Sequence, residues 1–239
     1  MESSINNISP IDGRYSELTK EFKNYFSESA LIKYRVFIEI KYFCQLVSLK
    51  LPELKKITKK NLNQILKISS NINNHHIARI KEIEKRTNHD VKAVEYFIKE
   101  EFDKLNLQEY KEFIHFGLTS QDINNTATPL LLKDALNDCL YVEINKLIKT
   151  LYELTQKWKH ISMLAKTHGQ PASPTKLGKE INVFKVRIEE QLNQLFNIPH
   201  SAKFGGATGN MNAHYAAYPK YNWHKFAKQF LDHIGLKRS

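Results

Sequence analysis

The sequence has only two cysteines, Cys44 and Cys139, and their wide separation fits neither a metal knuckle nor a redox pair. That scarcity points to a reduced, cytoplasmic setting. No apolar run approaches the length of a membrane span, and the first residues lack the basic-then-apolar plan of a secretory signal. No membrane partner is expected, and the acceptor-like triplets Asn7-Ile8-Ser9 and Asn124-Asn125-Thr126 mean little without secretion. Period-2 strand patterns, internal repeats and low-complexity blocks are missing as well. Gly205-Gly206-Ala207-Thr208-Gly209-Asn210 lacks the Gly-Lys-Ser/Thr ending and the preceding strand of a phosphate loop, which argues against a nucleotide fold. It reads as a loop whose backbone can approach a ligand closely. Acidic residues are the minority, 25 against 36 Lys and Arg, for a net charge of +11. The excess suits anionic small molecules, and its spread over pairs such as Lys55-Lys56 and Lys59-Lys60 reads as solvated helix faces rather than a nucleic-acid surface.

What is present is helical periodicity. Apolar residues 41% of the total and charged residues 26% suffice for a globular core. Residues 1–15 read as an extended arm, with Pro10 forbidding helix before it and Asp12-Gly13 a turn signal. Helical patterns follow over Glu17–Ser48, after the cap Thr58, and from Val91 through Ile98. One long helix is expected from Gln121 to Lys159, kinked or started by Pro129, and another after Ser173-Pro174, read as N-cap and first helical residue. A last amphipathic helix carries Trp223, Phe226, Phe230 and Ile234. The expected fold class is all-α.

Four polar clusters interrupt these helices. Lys166-Thr167-His168-Gly169-Gln170-Pro171 reads as a short polar loop holding a histidine, either an acid–base group or a plain connector residue. Arg86-Thr87-Asn88-His89-Asp90 either caps the next helix through Asn88 or Asp90 or forms an anion site. Phe113-Ile114-His115-Phe116-Gly117-Leu118-Thr119-Ser120-Gln121-Asp122 either caps through Thr119 or Ser120 or holds a carboxylate. Arg14-Tyr15 either clamps a phosphate and stacks on a base or pins the arm to the body. His75-His76 is adjacent rather than spaced i,i+4 and reads as helix surface, not as a metal pair.

Together with Ser9-Pro10-Ile11-Asp12-Gly13-Arg14-Tyr15, Thr167-His168-Gly169-Gln170-Pro171-Ala172 and Gly209-Asn210 with Asn212-Ala213-His214, these clusters span nearly the whole chain. The combination resembles the fumarase/aspartase superfamily of all-helical lyases, most closely its bacterial members that cleave adenylosuccinate. The resemblance implies a small helical N-terminal domain over 1–111 and an incomplete central helical bundle over 112–239. It implies a β-elimination in purine synthesis that releases fumarate from adenylosuccinate or succinyl-carboxamide ribotide. His168 would protonate the departing nitrogen, and Thr119 and Ser120 would hold the succinyl carboxylate. Arg14 and Tyr15 would bind the nucleotide end, with Asn88, His89 and Asp90 lining the same site. Thr167 and Gln170 would flank His168, and His115 would be a further polar contact. No cofactor or metal ligand set is expected, and the complete protein would be a cytoplasmic homotetramer with sites assembled from several subunits.

One departure matters. The family's serine loop, Ser-Ser-x-Met-Pro-x-Lys-x-Asn-Pro, does not occur in these residues, nor does the later bundle or third domain. The chain alone is therefore expected to be inactive and to expose apolar helix faces. The alternatives are another fumarate-releasing lyase, such as one acting on argininosuccinate, a non-catalytic assembly fragment, and a basic nucleic-acid binder.

Overall fold

The computed structural model describes residues 7–239, so the first six residues of the expected arm lie outside the described residues. The described part of that arm is not extended. Residues 9–19 wind through successive turns closed by Asp12 N–H to Ser9 O at 3.1 Å and Tyr15 N–H to Pro10 O at 2.9 Å. Helices α1 (Lys23–Phe26) and α2 (Glu28–Ser48) follow where one helix over Glu17–Ser48 was predicted. Ser27 makes the break: its extended backbone lets its side chain accept from Ala30 N–H at 3.1 Å and cap α2.

The chain forms two compact units, residues 1–134 with 200–239, and residues 135–199. In the first, α2 packs with α3 (Lys59–Ser70), α4 (Asn74–Thr87) and α5 (Asp90–Lys104), and hydrogen bonds from Tyr34 and Arg35 link it to α6 (Ser120–Ala135). Two helices from the end of the chain, α9 (Asn212–Ala217) and α10 (Trp223–His233), complete it. The predicted cap at Thr58 is present as a capping box with Asn61. Helix α2 buries a broad face through Ile32, Val36, Ile38, Ile40, Tyr42, Phe43 and Leu46. The Tyr42 ring meets Phe226 and Phe230 edge-on at about 6 Å, and Phe43 meets Phe102 at 4.9 Å. Such a face can carry polar side chains only where other segments answer them.

The second unit is a helical pair. Helix α7 (Tyr141–Trp158) and α8 (Leu177–Phe196) run antiparallel, since Tyr141 meets Phe196 at 5.8 Å while Gly178 lies against Thr155 and Lys159. A Cβ at Gly178 would sit 2.5 Å from the Thr155 carbonyl oxygen, so glycine is what allows this approach. No residue of α7 is buried and only Gly178 of α8 is, which leaves Leu147, Tyr152, Phe184 and Phe196 exposed, as expected.

The predicted helix from Gln121 to Lys159 begins at Ser120 and passes through a π turn at Leu136–Leu140 before α7. Pro129 is accommodated inside α6 rather than marking its start. The larger correction concerns the connector that follows. It is a β-hairpin, β1 (Ser162–Thr167) antiparallel to β2 (Gln170–Lys176), and Ser173-Pro174 lies in β2 instead of opening α8. A two-stranded ribbon has only edge strands, so Pro171 and Pro174 are tolerated. Both faces are largely exposed, so no apolar alternation marks it.

His214 on α9 is fully buried between Phe116 at 5.4 Å and Trp223 at 4.8 Å. The Tyr42 hydroxyl donates to Phe116 O at 2.5 Å, so its oxygen is left to accept from His214 Nε2–H at 2.8 Å. His214 Nδ1 has no hydrogen-bond partner among the described residues. Burial pulls its pKa from 6.5 down to about 4. A depressed histidine pKa contributes stability above the unfolded value, which is lost as pH falls through the folded one. Urea unfolding should therefore show stability falling between pH 6.5 and 4, by on the order of 3 kcal/mol. His214→Leu should flatten that slope, and an unchanged slope would remove His214 as its source.

Candidate active site

The candidate residues of the first unit are held from behind by α2. Arg35, Glu39 and Tyr42 lie at i, i+4 and i+7 and share one helical face. Arg35 donates through Nη2 to Asp90 Oδ2 at 2.6 Å and through Nε to Asn124 Oδ1 at 2.9 Å, tying the start of α5 to α6. Glu39 meets His115 Nδ1 at 2.5 Å. Tyr42 holds the carbonyl of Phe116 one residue on.

At the first of these contacts, Asn88 takes the left-handed conformation at φ 49° and ends α4, while His89 rather than Asn88 or Asp90 caps α5. His89 Nδ1 accepts from Lys92 N–H at 3.1 Å. Asp90 is the first residue of α5; its Oδ1 accepts from Val91 N–H at 2.8 Å and its Oδ2 faces Arg35.

The stretch through His115 is bent by two positive φ angles, 62° at His115 and 67° at Gly117. At Gly117 a Cβ would lie 2.6 Å from the His214 ring. Burial opposes a charged His115, but the charge and hydrogen bond of Glu39 outweigh it and raise its pKa. For Glu39, with no exposed surface, burial dominates and its pKa is raised too.

The start of α6 is organised by Asp122, which is fully buried. Its Oδ2 accepts from Thr119 N–H at 2.9 Å and Thr119 Oγ1–H at 3.1 Å. Its Oδ1 accepts from Lys203 Nζ and Gly205 N–H, both at 2.8 Å, and Gly206 N–H lies 3.1–3.2 Å from both oxygens. The glycine loop, whose backbone was expected to approach a ligand closely, therefore holds this chain's own carboxylate. A Cβ at Gly205 would meet Gly209 O at 2.7 Å, and Gly206 has φ +76°. Burial alone would raise the Asp122 pKa, yet Lys203 and the Gly205 and Thr119 donors lower it.

Arg14 lies 5.6 Å over the Tyr15 ring within the turn segment. In the second unit, Thr167 and Gln170 pair across the hairpin and His168-Gly169 forms its two-residue turn. Both turn residues have positive φ, 49° and 78°, the I′ pattern that favours Asn or Gly over most other residues. His168 is exposed there.

The structure thus joins Asp90, next to Asn88 and His89 in the chain, to α6 through Arg35 and Asn124, and ties His115 to the same helix α2. Thr167, His168 and Gln170 belong to the other unit. The reading from sequence missed Arg35, Glu39, Lys203, and Asp122 as the carboxylate that the glycine loop clasps. The signal for the first two was charge inside the apolar run Tyr34-Arg35-Val36-Phe37-Ile38-Glu39-Ile40. Among the described residues no three His, Cys, Asp or Glu side chains gather as a metal site. A cleft of about 680 Å³, lined by Phe37, Lys41, Cys44, Leu130 and Phe230 among others, contains none of the candidate residues.

A family model described as Lyase matches residues 13–236. Adenylosuccinate lyase of Dictyostelium discoideum is 48% identical to this chain, covering 99% of it and 52% of that protein. The enzymes of the same name from Vibrio cholerae and Escherichia coli K12 are 43% and 38% identical, over 96% and 98% of this chain and 51% and 52% of theirs. The chain spans about half the length of the curated relatives it matches. Among solved structures, fumarate lyase from Mesorhizobium sp. BNC1 aligns with a TM-score of 0.73 at 18% identity, over 92% of this chain and 48% of its own. β-Carboxy-cis,cis-muconate cycloisomerase from Acinetobacter aligns at 0.68 and 19%, over 92% and 49%. At such identities these two share the fold.

Asp122→Asn keeps the shape but puts an amide against Lys203 and two glycine N–H groups. Urea unfolding should show a loss of about 3–5 kcal/mol, the usual cost of breaking a buried charge pair. Thr119→Ala should cost about 1 kcal/mol. Equal, small losses would show that Asp122 is not the anchor of this loop.

Proposed function

Since the chain belongs to the lyase family, we propose that it forms part of an enzyme that cleaves adenylosuccinate to AMP and fumarate, and succinyl-carboxamide ribotide to its carboxamide ribotide and fumarate. The observation that carries this reading is the similarity of nearly the whole chain, at up to 48% identity, to proteins named adenylosuccinate lyase. The reaction is a β-elimination. A proton leaves the succinyl carbon beside a carboxylate, its electron pair forms the new carbon–carbon double bond, and the carbon–nitrogen bond breaks with its pair going to nitrogen. His168 gives that nitrogen its proton. The left-handed turn that presents the ring is the kind of backbone found where position matters more than ease of folding.

Thr119 and Ser120 hold the succinyl carboxylate at the start of α6, where free N–H groups favour an anion. Because the Thr119 hydroxyl already donates to Asp122, Ser120 is the better hydroxyl donor of the two. Arg14 and Tyr15 bind the nucleotide end, and Asn88, His89 and Asp90 line the same site. Thr167 and Gln170 flank His168, and His115 contacts an anionic group. The same reading divides the chain at 111/112 into an N-terminal domain and part of a central bundle. It makes the working protein a cytoplasmic homotetramer assembled through α7 and α8. No helix among the described residues is long and apolar enough to cross a membrane.

The pattern that carries the carbon base does not occur among these 239 residues, so the purified chain should show no turnover of adenylosuccinate. In a protein carrying this chain at the length of its relatives, His168→Ala should lower kcat by about 10²–10⁴ and change KM by only a few-fold. Unchanged kcat would refute the role of His168. Turnover of argininosuccinate in place of adenylosuccinate would move the protein to another branch of the family.

A further inference from the structure

Glu39 enters none of the roles above, yet it is wholly buried and touches a candidate residue directly. Its Oε1 lies 2.5 Å from His115 Nδ1, and its Oε2 is buried with no hydrogen-bond partner among the described residues. One turn along α2, Tyr42 fixes the Phe116 carbonyl at 2.5 Å, so the bent stretch is held at His115 and just after it. The His115 side chain itself keeps 14% of its surface exposed. Nδ1–H is committed to Glu39, which leaves Nε2 as the atom available to a ligand. Whether Nε2 offers a proton or a lone pair decides which ligand it can take. A neutral ring with Nδ1 protonated presents only a lone pair and repels an anion, whereas the imidazolium presents N–H.

We propose that Glu39 is a positioning residue that keeps His115 protonated at both ring nitrogens, so that Nε2–H donates to an anionic group of the substrate. The proposal rests on the lyase reading for the substrate, but not for the pairing itself. The physical cause is the dry setting of the carboxylate. A carboxylate in water is answered by several donors; Glu39 is answered by His115 on one oxygen and, among the described residues, by nothing on the other. Removing the proton from His115 would leave that charge uncompensated in the core or force a proton onto Glu39, whose pKa burial raises. The surroundings do not supply a substitute. From α5, buried Glu95 faces the pair and also favours a cation, while Lys92 opposes it. Lys92 and a second lysine, Lys99, are occupied by Glu95 at 2.6 and 3.1 Å, and Lys99 also meets Glu112 at 3.0 Å. The raised pKa of His115 agrees in direction.

The test is an NMR titration of the histidine rings in the ¹⁵N-labelled chain, with His115→Gln identifying the His115 signals. His115 should titrate above its ordinary value of 6.5, and Glu39→Gln should lower the midpoint by at least about one pH unit, a tenfold change in proton affinity. The amide oxygen introduced by that substitution can still accept from Nδ1–H, so the ring stays placed while the charge is lost. A wild-type midpoint at or below 6.5 overturns the proposal without any variant. In a protein at the length of its relatives, kcat/KM should fall on the alkaline side, with Glu39→Gln moving that limb to lower pH by the same amount. A midpoint that moves while the limb stays in place overturns the role in substrate binding. Absence of any lyase activity in that protein sinks the functional reading instead, and the ring titration alone then decides whether Glu39 charges His115.

Discussion

The interaction on which the first unit depends is the set of polar contacts made by the buried face of helix α2. On the buried face of helix α2 each polar group must be satisfied inside the protein or cost several kcal/mol. Arg35 and Tyr42 meet this demand through Asp90 and Asn124, and through Phe116 with His214, while Glu39 meets it on one oxygen only, through His115. Burial thus converts one helical face into a set of fixed attachment points. The residues attached are those with the most chemical character in the unit, and their positions are set by the core rather than by their own loops.

Asp122 applies the same logic at the start of α6. Backbone N–H groups of a glycine-rich loop will bind whatever anion reaches them. Here the chain's own carboxylate fills the loop and, through the same oxygens, holds Thr119 and Lys203. Glycine is required because the backbone comes too close for a side chain at Gly205. A loop that looks like a ligand site in one dimension is a structural clasp in three.

Helices with strong patterns were legible in the sequence: the capped start at Thr58, the apolar series from Val91 and the last helix through Trp223 all appear as read. The hairpin around His168 was not, because a ribbon exposed on both faces carries no alternation to read. Residues 9–19 fold back through backbone hydrogen bonds that leave no compositional mark beyond Asp12-Gly13. For the site, the polar clusters flagged His89, His115, Thr119 and His168 individually. Their supports were missed because Arg35 and Glu39 lie far away in sequence, inside a run that otherwise looks like core. Capping was misassigned at Asn88 and Asp90 because a histidine ring nitrogen can do what an Asn or Asp oxygen usually does.

The exposed pair α7 and α8 has a consequence for local stability. Helices of 18 and 20 residues with almost no buried side chain draw little stability from burial, which is where most helical stability in proteins comes from. The first unit, with its aromatic core and internal ion pairs, stands at the other end of the scale. The two units should therefore differ in local stability, and amide exchange should distinguish a faster-opening pair from the protected core.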